Sequence, residues 1–423
     1  MASLSRLSLY VTVYLFLCLL ANLTLVVMFL GGHTTHQHHT RPAPTPAWTP
    51  ASGHSLGCDE LPAIANLTLI GSGWTKAVYR GWYGGSWVAV KTVHTAGHDM
   101  SECRGEEASV CYRRCANKLR QEARWLTKLS HANVIKVFGE CVPEVEYSAG
   151  PPRSGVAAVV VELGQPVRIV EVLQMGYEAR LKLAVDVGRI LQLLAHSPLG
   201  PVLMKDFRRE QFVLVDGSLK LSDVDDVVVG EPACSTAQDC VIHDTTKEHV
   251  LTTVACDGGL CHGHNSLLNS IYAGQHFMRL LLPYGGPAAL EAASLHLVEQ
   301  QSLGRLDSEH LHTAIEALAL NYSMGGYLTQ AEKQEIQNFV VLPGSTVEGE
   351  DFPCLRSDGA QCVQSVSSPA EAASLCSQLP ACSAFVLLQH WTWTGRQTAV
   401  FKKGTGKVRE ERRHTLYVRR GQG

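Results

Sequence analysis

The stretch that most constrains the fold is residues 202–226, VLMKDFRREQFVLVDGSLKLSDVDD, which holds six acidic residues. Residues 212–215 and 219–221 are short runs of strand-forming side chains, and a turn-favouring Asp-Gly pair lies between them. This pattern predicts a β-hairpin. Asp206 precedes the first strand and Asp223 follows the second, so the hairpin brings these two carboxylates to one end.

Two carboxylates placed in this way can divide the work of phosphoryl transfer. Asp206 is predicted to accept or orient the proton of an attacking hydroxyl, and Asp223 to hold a divalent metal ion that bridges the phosphates of a nucleotide. The competing interpretation is a solvated acidic hairpin with no chemical role. The other motifs of the chain decide between the two interpretations.

The N-terminal part of the chain predicts its cellular compartment. Residues 9–30 form an almost unbroken apolar run that is long enough to span a bilayer. Residues 1–31 are therefore predicted to be either a cleaved signal peptide or a type II membrane anchor, and the sequence leaves both open. Residues 32–57 are rich in His, Thr and Pro and are predicted to form a flexible stem.

Charge and cysteine content agree with a secretory protein. Lys and Arg number 36 against 39 Asp and Glu, a near-neutral balance that argues against nucleic acid as a partner. One of the 14 cysteines, Cys18, lies in the apolar run, which leaves an odd number and predicts one thiol outside the intramolecular disulfides. Cys141, beside an apolar stretch, is the candidate for that buried thiol. Asn66 and Asn321 begin Asn-X-Ser/Thr sequences and are predicted N-glycosylation sites.

The periodicity of apolar residues divides the rest of the chain into three parts. Short β-like runs and one helical stretch predict a small β-rich lobe over about residues 58–165, and helical periodicity predicts a larger lobe over about 166–345. The segments of the small lobe are residues 67–70, 77–80, 87–93 and, for the helix, 117–129. Residues 346–423 are predicted to be a separate disulfide-rich module. The predicted fold class is therefore α+β.

A glycine-rich turn lies between two of the predicted strands, in LTLIGSGWTKAVYRG. Gly71, Ser72 and Gly73 allow the backbone to approach phosphate oxygens closely. Val78, on the strand that follows, is predicted to line the same nucleotide site. An ordinary hairpin turn is the alternative for this motif taken alone.

Lys91 and Glu122 are charged residues in apolar surroundings. Lys91 follows the strand-like WVAV, and Glu122 shares a helical stripe with Leu119, Leu126 and Leu129. A buried charge requires a partner of opposite sign, so the two residues predict the Lys–Glu ion pair that positions nucleotide phosphates in kinases. The alternative places each at the solvent-exposed edge of its element.

The order of these motifs is that of a protein kinase. Along the chain come the glycine-rich turn, the strand lysine, the helix glutamate, a hinge-like VVVELGQP with Glu162, the catalytic Asp206 and the metal-binding Asp223. The two aspartates are 17 residues apart, which is the usual kinase spacing. The sequence therefore predicts a bilobal protein-kinase-like fold, with Glu162 in the nucleotide-binding hinge.

Several segments resemble the vertebrate lonesome kinase family of secreted tyrosine-protein kinases. They are GSGWTKAVYR, AGHDMSEC, LAHSPLG, KDFRREQFVLVDGSLKLSDVDD and TWTGRQ, and the resemblance runs from about Cys58 to the C-terminus. It implies transfer of phosphate from ATP, with Mg²⁺ or Mn²⁺, to tyrosines of secreted and extracellular-matrix proteins. The implied location is the Golgi lumen and the extracellular space.

Four positions depart from ordinary kinases, in a way that resembles the family pattern. Lys76 replaces the third glycine of the loop, and its side chain either faces the phosphates or folds away. Gln211 replaces the usual metal-binding Asn, and its carbonyl can still bind the metal. Asp223 is followed by further carboxylates at Asp225 and Asp226, which either recruit a second metal ion or repel nucleotide in its absence.

Two groups of four cysteines follow the acidic hairpin. The first lies where cytosolic kinases carry an activation loop, and two disulfides are predicted to fix this loop. A zinc site that includes His262 and His264 is the alternative. The second group belongs to the C-terminal module, which resembles apple or PAN modules or else serves as a structural cap. The two groups are Cys234, Cys240, Cys256 and Cys261, and Cys354, Cys362, Cys376 and Cys382.

Two functions of different classes fit the sequence. The first is an active protein kinase of the secretory pathway, and the second is an inactive pseudokinase that acts as an extracellular binding scaffold. A scaffold has no need of buried charges, so the set of Lys91, Glu122, Asp206 and Asp223 favours catalysis. The sequence gives no indication of an oligomeric state.

Overall fold

The computed structural model describes residues 55–103, 105–143, 156–243, 249–354 and 359–421, all of which belong to one compact unit. The predicted signal peptide or anchor, and nearly all of the predicted stem, lie outside the described residues. Within the described ranges, no helix is long and apolar enough to cross a membrane.

Five antiparallel strands form the small lobe, in the order β1-β2-β3-β5-β4. Their bounds are β1 Ala65–Ser72, β2 Lys76–Tyr83, β3 Ser86–Val93, β4 Val137–Cys141 and β5 Ala158–Glu162. The predicted strands of this lobe are therefore confirmed. The side chains of β3 alternate between two apolar clusters, one on each face of the sheet, which is why the whole strand is apolar.

A two-residue turn, Gly84-Gly85, joins β2 to β3. Both glycines have a positive φ, 56° and 86°, as a type I′ turn requires. The resulting register pairs Lys91 directly with Val78 and leaves Lys76 two residues from Val78 on the same strand. Since paired residues share a face of the sheet, the side chains of Lys76 and Lys91 leave the same face.

Helix α2 (Ala108–Lys128) packs across this sheet after a short α1 (His98–Ser101). The buried residues of α2 recur every three or four positions, which makes it amphipathic. They are Cys111, Tyr112, Cys115, Ala116, Leu119, Glu122, Ala123 and Leu126. The helix predicted at residues 117–129 is confirmed, but it begins nine residues earlier because the apolar spacing continues through the preceding turns.

The large lobe is mainly helical, as predicted. Its helices are α3 Ile169–Gln174, α4 Tyr177–Ala195, α5 His264–Ala273, α6 Arg279–Leu281, α7 Ala288–Ser302, α8 Ser308–Met324 and α9 Gln330–Gln334, with a π-helical turn Gly274–Met278 between α5 and α6. Helix α4 is buried on almost every side, so it forms the centre of this lobe.

The acidic stretch folds as predicted into a hairpin of β8 (Phe212–Val215) and β9 (Ser218–Leu221). Asp216 and Gly217 both have a positive φ, 50° and 72°, which is the conformation that an Asp-Gly type I′ turn adopts. A short strand β6 (Gln165–Pro166) extends the hairpin to three strands.

A second strand pair closes the end of the hairpin that carries the aspartates. Strand β7 (Val202–Met204) precedes Asp206, and β10 (Val227–Val229) follows Asp223; the two strands pair antiparallel. The buried Asn269 of α5 binds β7 through both of its amide atoms, at 2.7 and 3.0 Å. The two aspartates are therefore held at one place by strands on both sides.

The segment that follows β10 is stapled by two disulfides. It contains two short hairpins, β11 Val241–His243 with β12 Val250–Thr253 and β13 Cys256–Asp257 with β14 Leu260–Cys261. The bonds join Cys234 to Cys256 and Cys240 to Cys261. The disulfide prediction is confirmed and the zinc alternative is wrong, because the four sulfur atoms are joined in two S–S bonds and none is left as a thiolate ligand.

Cys141 is not the unpaired thiol. It forms a disulfide with Cys58, which ties the start of the small lobe to β4 across 83 positions of sequence. Cys103 pairs with Cys111, and Cys115, buried in α2, is the described cysteine without a disulfide partner. Cys115 belongs to the apolar stripe of α2, and its thiol acts there as a small hydrophobic group.

The C-terminal module is an antiparallel sheet of five strands, in the order β15-β19-β17-β18-β16, with one helix packed on it. The bounds are β15 Phe339–Glu348, β16 Cys362–Val366, α10 Pro369–Gln378, β17 Ala384–Trp391, β18 Gln397–Lys402 and β19 Lys407–Arg419. Disulfides join Cys354 to Cys362 and Cys376 to Cys382. The module boundary predicted at residue 346 falls inside β15, so the sheet begins at Phe339 instead.

Arg396 fastens the module to the large lobe. Its side chain is 2% exposed and forms an ion pair at 2.6 Å with Glu371 of α10. It also donates to the carbonyl of Tyr322 in α8 at 2.7 Å and stacks 4.1 Å above the ring of that tyrosine. Glu178 of α4 accepts a hydrogen bond from Ser365 at 2.6 Å. These contacts support the structural-cap interpretation, and the apple-like resemblance stays a prediction.

Candidate active site

The structure brings the predicted lysine and glutamate together. Lys91 Nζ lies 2.6 Å from Glu122 Oε1, and both side chains are almost completely buried. Lys91 also donates to the main-chain carbonyl of Ser222 at 2.6 Å. Because Ser222 immediately precedes Asp223, the strand lysine of the small lobe reaches the acidic end of the hairpin in the large lobe.

The glycine-rich turn lies between β1 and β2. The amide of Gly73 donates to the carbonyl of Lys76 at 2.8 Å, which closes the turn. A Cβ atom added to Gly71 would have open space around it, so the turn is not packed under other atoms. The ring nitrogen Nδ1 of His94 lies 2.7 Å from the Gly73 carbonyl and ties the turn to the end of β3. Val78 packs partly buried beneath the turn, against the main core.

Asp206 is bound by two neighbours from its own loop. Arg208 grips both of its carboxylate oxygens, with an Nη2–Oδ2 distance of 2.7 Å, and the amide of Gln211 donates to Oδ2 as well. The hydrogen bonds from Arg208 hold the pKa of Asp206 below its usual range. Asp206 is therefore an ionised group that can accept a proton. Arg208 was missed in the sequence, where nothing distinguished it from any other surface arginine.

Lys76 is the residue whose position the sequence left open, and its side chain folds onto the carboxylates. Its Nζ lies 2.6 Å from Glu122 Oε2, 2.6 Å from Asp223 and 3.1 Å from Asp225. Burial disfavours the charged form of Lys76, but the three carboxylates outweigh it and raise its pKa. The predicted metal residue Asp223 is thus bonded to an ammonium group.

The pKa values of the two aspartates that share Lys76 are shifted in opposite directions. Burial alone would raise the pKa of Asp223, but Lys76 and Lys91 outweigh it and hold that pKa below the usual range. Burial raises the pKa of Asp225, and the negative charge of Asp223 adds to the effect against the attraction of Lys76. Asp223 is therefore the stronger candidate for an ionised metal ligand.

The carboxylates at this end of the hairpin have the chemistry of a divalent-cation site. Glu122, Asp223 and Asp225 bring oxygen atoms within 4.8 Å of one another. Hard cations such as Mg²⁺ and Mn²⁺ prefer oxygen ligands, so the donor set fits a metal ion. The main-chain carbonyl of Gln211 accepts the amides of Ser222 and Asp223, at 2.8 and 3.1 Å, which fixes Gln211 beside the same carboxylates.

The side chain of Glu162, the predicted hinge residue, is engaged in an ion pair with the large lobe. Glu162 is the last residue of β5, and its carboxylate forms an ion pair with Lys220 of β9 at 2.8 Å. Its amide donates to the carbonyl of Lys136 at 2.9 Å. A nucleotide contact from Glu162 would therefore come from its main-chain carbonyl, and the assignment stays a prediction.

Two cavities differ in their relation to these residues. A cavity of about 10 Å³ lies directly at the acidic end of the hairpin, lined by Met204, Asp206, Gln211 and residues 223–227. That volume holds about one water molecule. A cavity of about 550 Å³ lies between α2 and β4, and its described lining includes none of the predicted site residues. Of the two cavities, it is the small one that the predicted site residues Asp206, Gln211 and Asp223 line.

The chain has a β-rich lobe with Lys91 and Glu122 and a helical lobe with Asp206 and Asp223, and these charged groups meet where the lobes join. This arrangement is protein-kinase-like. No family model matches the sequence. The human protein named extracellular tyrosine-protein kinase PKDCC is 36% identical over 382 residues, which is 89% of this chain and 76% of the human protein. The chain therefore belongs to the family of that kinase, and the predicted membership of the vertebrate lonesome kinase family is confirmed.

Proposed function

We propose that this chain is an active secretory-pathway protein kinase that transfers the γ-phosphate of ATP to tyrosine in secreted and extracellular-matrix proteins. The observation that carries the proposal is Lys91, which bridges Glu122 in the small lobe and the carbonyl next to Asp223 in the large lobe. This contact supports a role for the Lys91 ammonium in phosphate binding, next to a carboxylate that would hold the metal ion. The preference for tyrosine rests on the family.

Each residue has a separate task in the proposed reaction. The ammonium of Lys91, oriented by Glu122, binds the α- and β-phosphates, and the main chain of residues 71–73 covers them. Asp206 accepts the phenolic proton of the substrate as the γ-phosphoryl group moves from ADP to the tyrosine oxygen. Arg208 keeps Asp206 ionised and adds positive charge beside the transferred group. A divalent ion held by Asp223 and Gln211 would neutralise the phosphate oxygens.

Phosphate transfer to a Glu-Tyr copolymer tests the proposal. With radiolabelled ATP and Mg²⁺ or Mn²⁺, the wild-type protein is expected to label tyrosine, and Asp206→Asn to lose at least about a hundredfold in rate. Asp216→Asn is the matched control, because it makes the same change at the exposed turn of the same hairpin, where Asn also adopts a positive φ. Equal activity of both variants, or an inactive wild type, contradicts the proposal.

The pseudokinase scaffold stays the second candidate, because one contact favours it. Lys76 occupies the carboxylates that would hold the metal ion, as expected of an inactive cleft that binds no metal. Thermal unfolding separates the candidates. A kinase is expected to gain stability with Mg-ATP or Mn-ATP in the wild type and not in Lys91→Met, whereas a scaffold with a closed cleft gains none in either.

The proposed location in the Golgi lumen and outside the cell has its own tests. The relative is named an extracellular kinase, which supports the proposal. Asn66 and Asn321 are both exposed, as glycan attachment requires. Removing each with Asn→Gln is expected to lower the apparent mass of the secreted protein by one glycan. Sequencing the N-terminus of that protein distinguishes a cleaved signal peptide from a membrane anchor.

A further inference from the structure

Two lysines of the small-lobe sheet, and not one, bind Glu122. The β2–β3 register places Lys76 and Lys91 diagonally on one face of the sheet. Each ammonium binds a different oxygen of Glu122, and both distances are 2.6 Å. The conventional position is that of Lys91, so the second lysine has no part in the reaction described above.

Lys76 connects the two lobes through ionic contacts alone. It binds Glu122 on the small-lobe side and Asp223 and Asp225 on the large-lobe side, and its side chain is 10% exposed. Lys91 reaches the large lobe through a neutral carbonyl. Lys76 is therefore the cation in direct contact with both aspartates, which would repel one another more strongly without it.

The same oxygen atoms serve the ammonium and a divalent cation. Both oxygens of Asp223 lie 2.6 Å from Lys76 Nζ, so a metal ion bound to this carboxylate takes the place of the ammonium. The adjacent cavity of about 10 Å³ holds no more than about one water molecule. Loading of the site therefore requires Lys76 to release Asp223.

We propose that Lys76 is a positioning residue that occupies the cation site of the nucleotide-free protein and yields it to the cation that arrives with a nucleoside triphosphate. This inference rests on the proposed function. A free divalent cation must displace Lys76 with its own charge alone. A cation that arrives bound to ATP brings phosphate oxygens, which accept the released ammonium. The tethered lysine thus selects the metal–nucleotide complex over the free metal ion.

Binding of Mn²⁺ without nucleotide tests the inference directly. Electron paramagnetic resonance counts free Mn²⁺ in a titration of wild type, Lys76→Met and Lys91→Met. The loss of the competing ammonium is expected to tighten Mn²⁺ binding by at least about fivefold in Lys76→Met. Lys91→Met is the matched control: it removes one charge from the same glutamate without a contact to either aspartate, so its gain should be clearly smaller.

Equal Mn²⁺ affinity in wild type and Lys76→Met, or an equal gain in both variants, overturns the inference. A second measurement uses the wild type alone, in case Lys76→Met does not fold. Amine modification followed by mass spectrometry is expected to label Lys76 more with Mn²⁺ than without, while Lys91 stays unchanged. Unchanged labelling of Lys76 at saturating Mn²⁺ also overturns it.

These outcomes are separate from those of the proposed function. If the wild type never transfers phosphate but Lys76→Met binds Mn²⁺ more tightly than the wild type, the proposed kinase function fails and the inference about Lys76 stands. An active kinase whose Mn²⁺ affinity is indifferent to Lys76 keeps the proposed function and loses this inference.

Discussion

Two buried charge clusters, one in the cleft and one in the C-terminal module, differ in how completely they are satisfied. In the module, Arg396 meets a single carboxylate, that of Glu371, and its other donors bind carbonyl and hydroxyl oxygens. In the cleft, two ammonium groups face three carboxylates contributed by different lobes. The cluster in the module closes on itself, whereas the cluster in the cleft leaves negative charge in excess.

The difference separates a structural ion pair from a binding site. A planar guanidinium surrounded by fixed acceptors holds two domains in one arrangement and has nothing further to bind. A cluster with surplus carboxylate charge is electrostatically incomplete and attracts a cation. The Lys91–Glu122 pair of the cleft is about as buried as Arg396 and Glu371, so burial by itself does not identify the functional charges; the charge balance does.

The largest expected effect is on stability, at Arg396. Arg396→Ala leaves Glu371 buried without its cation, which is expected to lower the free energy of unfolding by about 3–5 kcal/mol. Urea unfolding measures this loss. Arg409→Ala, which breaks an ion pair that is half exposed, is the control and should cost less than about 1 kcal/mol. Similar losses in the two variants would contradict the claim that Arg396 and Glu371 form a structural ion pair.

The disulfides beside the cleft give the next largest effect. The bond between Cys240 and Cys261 closes a loop of 21 residues, so its removal by the double Cys→Ser variant is expected to cost about 3 kcal/mol. Kinase activity is expected to fall under mild reductant and to be unaffected by phosphatase, because the loop is held covalently. Activity that survives reductant and disappears with phosphatase contradicts this prediction.

Glu122→Gln sharpens the comparison from the side of the cleft. Lys91 keeps the Ser222 carbonyl and Lys76 keeps two aspartates, so stability is expected to fall by only about 1–3 kcal/mol. Phosphate transfer is expected to fall at least about a hundredfold, because the phosphate-binding lysine loses its orientation. Urea unfolding and a tyrosine-labelling assay measure the two quantities. A variant that is strongly destabilised but keeps its activity would assign Glu122 to the fold.

The smallest expected effect concerns the acid limb of the pH profile. Arg208 lowers the pKa of Asp206, and a general base works only when it is deprotonated. Arg208→Ala removes that influence, so the pKa of Asp206 rises and the fall of kcat/KM on the acid side moves to higher pH. An acid limb that stays in place, or moves to lower pH, shows that another group controls it.

The sequence predicted the parts of the site that depend on local patterns. The Asp-Gly pair predicted the hairpin. The apolar neighbours of Lys91 and of Glu122 predicted that these two charges form an ion pair. The contact between Lys76 and Glu122 could also have been predicted from the sequence. The Gly84-Gly85 turn determines the β2–β3 register, and that register places Lys76 on the face of Lys91.

Other features depend on contacts between distant parts of the chain. The Cys58–Cys141 bond spans 83 residues, and no local pattern distinguishes Cys141 from the unpaired Cys115. Strand β15 joins the module because it pairs with β19, near the end of the chain. The predicted boundary at residue 346 relied on the positions of the cysteines and therefore fell after the start of β15. The arginine at 396 lies in a segment that looked like a family motif, and only its burial reveals a structural role.

Calorimetric titration with a non-hydrolysable ATP analogue and Mg²⁺ tests the central claim most directly, that Lys91 and Asp223 grip one nucleotide from opposite lobes. The wild type is expected to bind one nucleotide, and Lys91→Met and Asp223→Asn to bind it at least about tenfold more weakly. Lys128→Met, an exposed lysine that lines the cavity between α2 and β4, should bind like the wild type. Undiminished binding by both site variants, or no binding by the wild type, would contradict the claim.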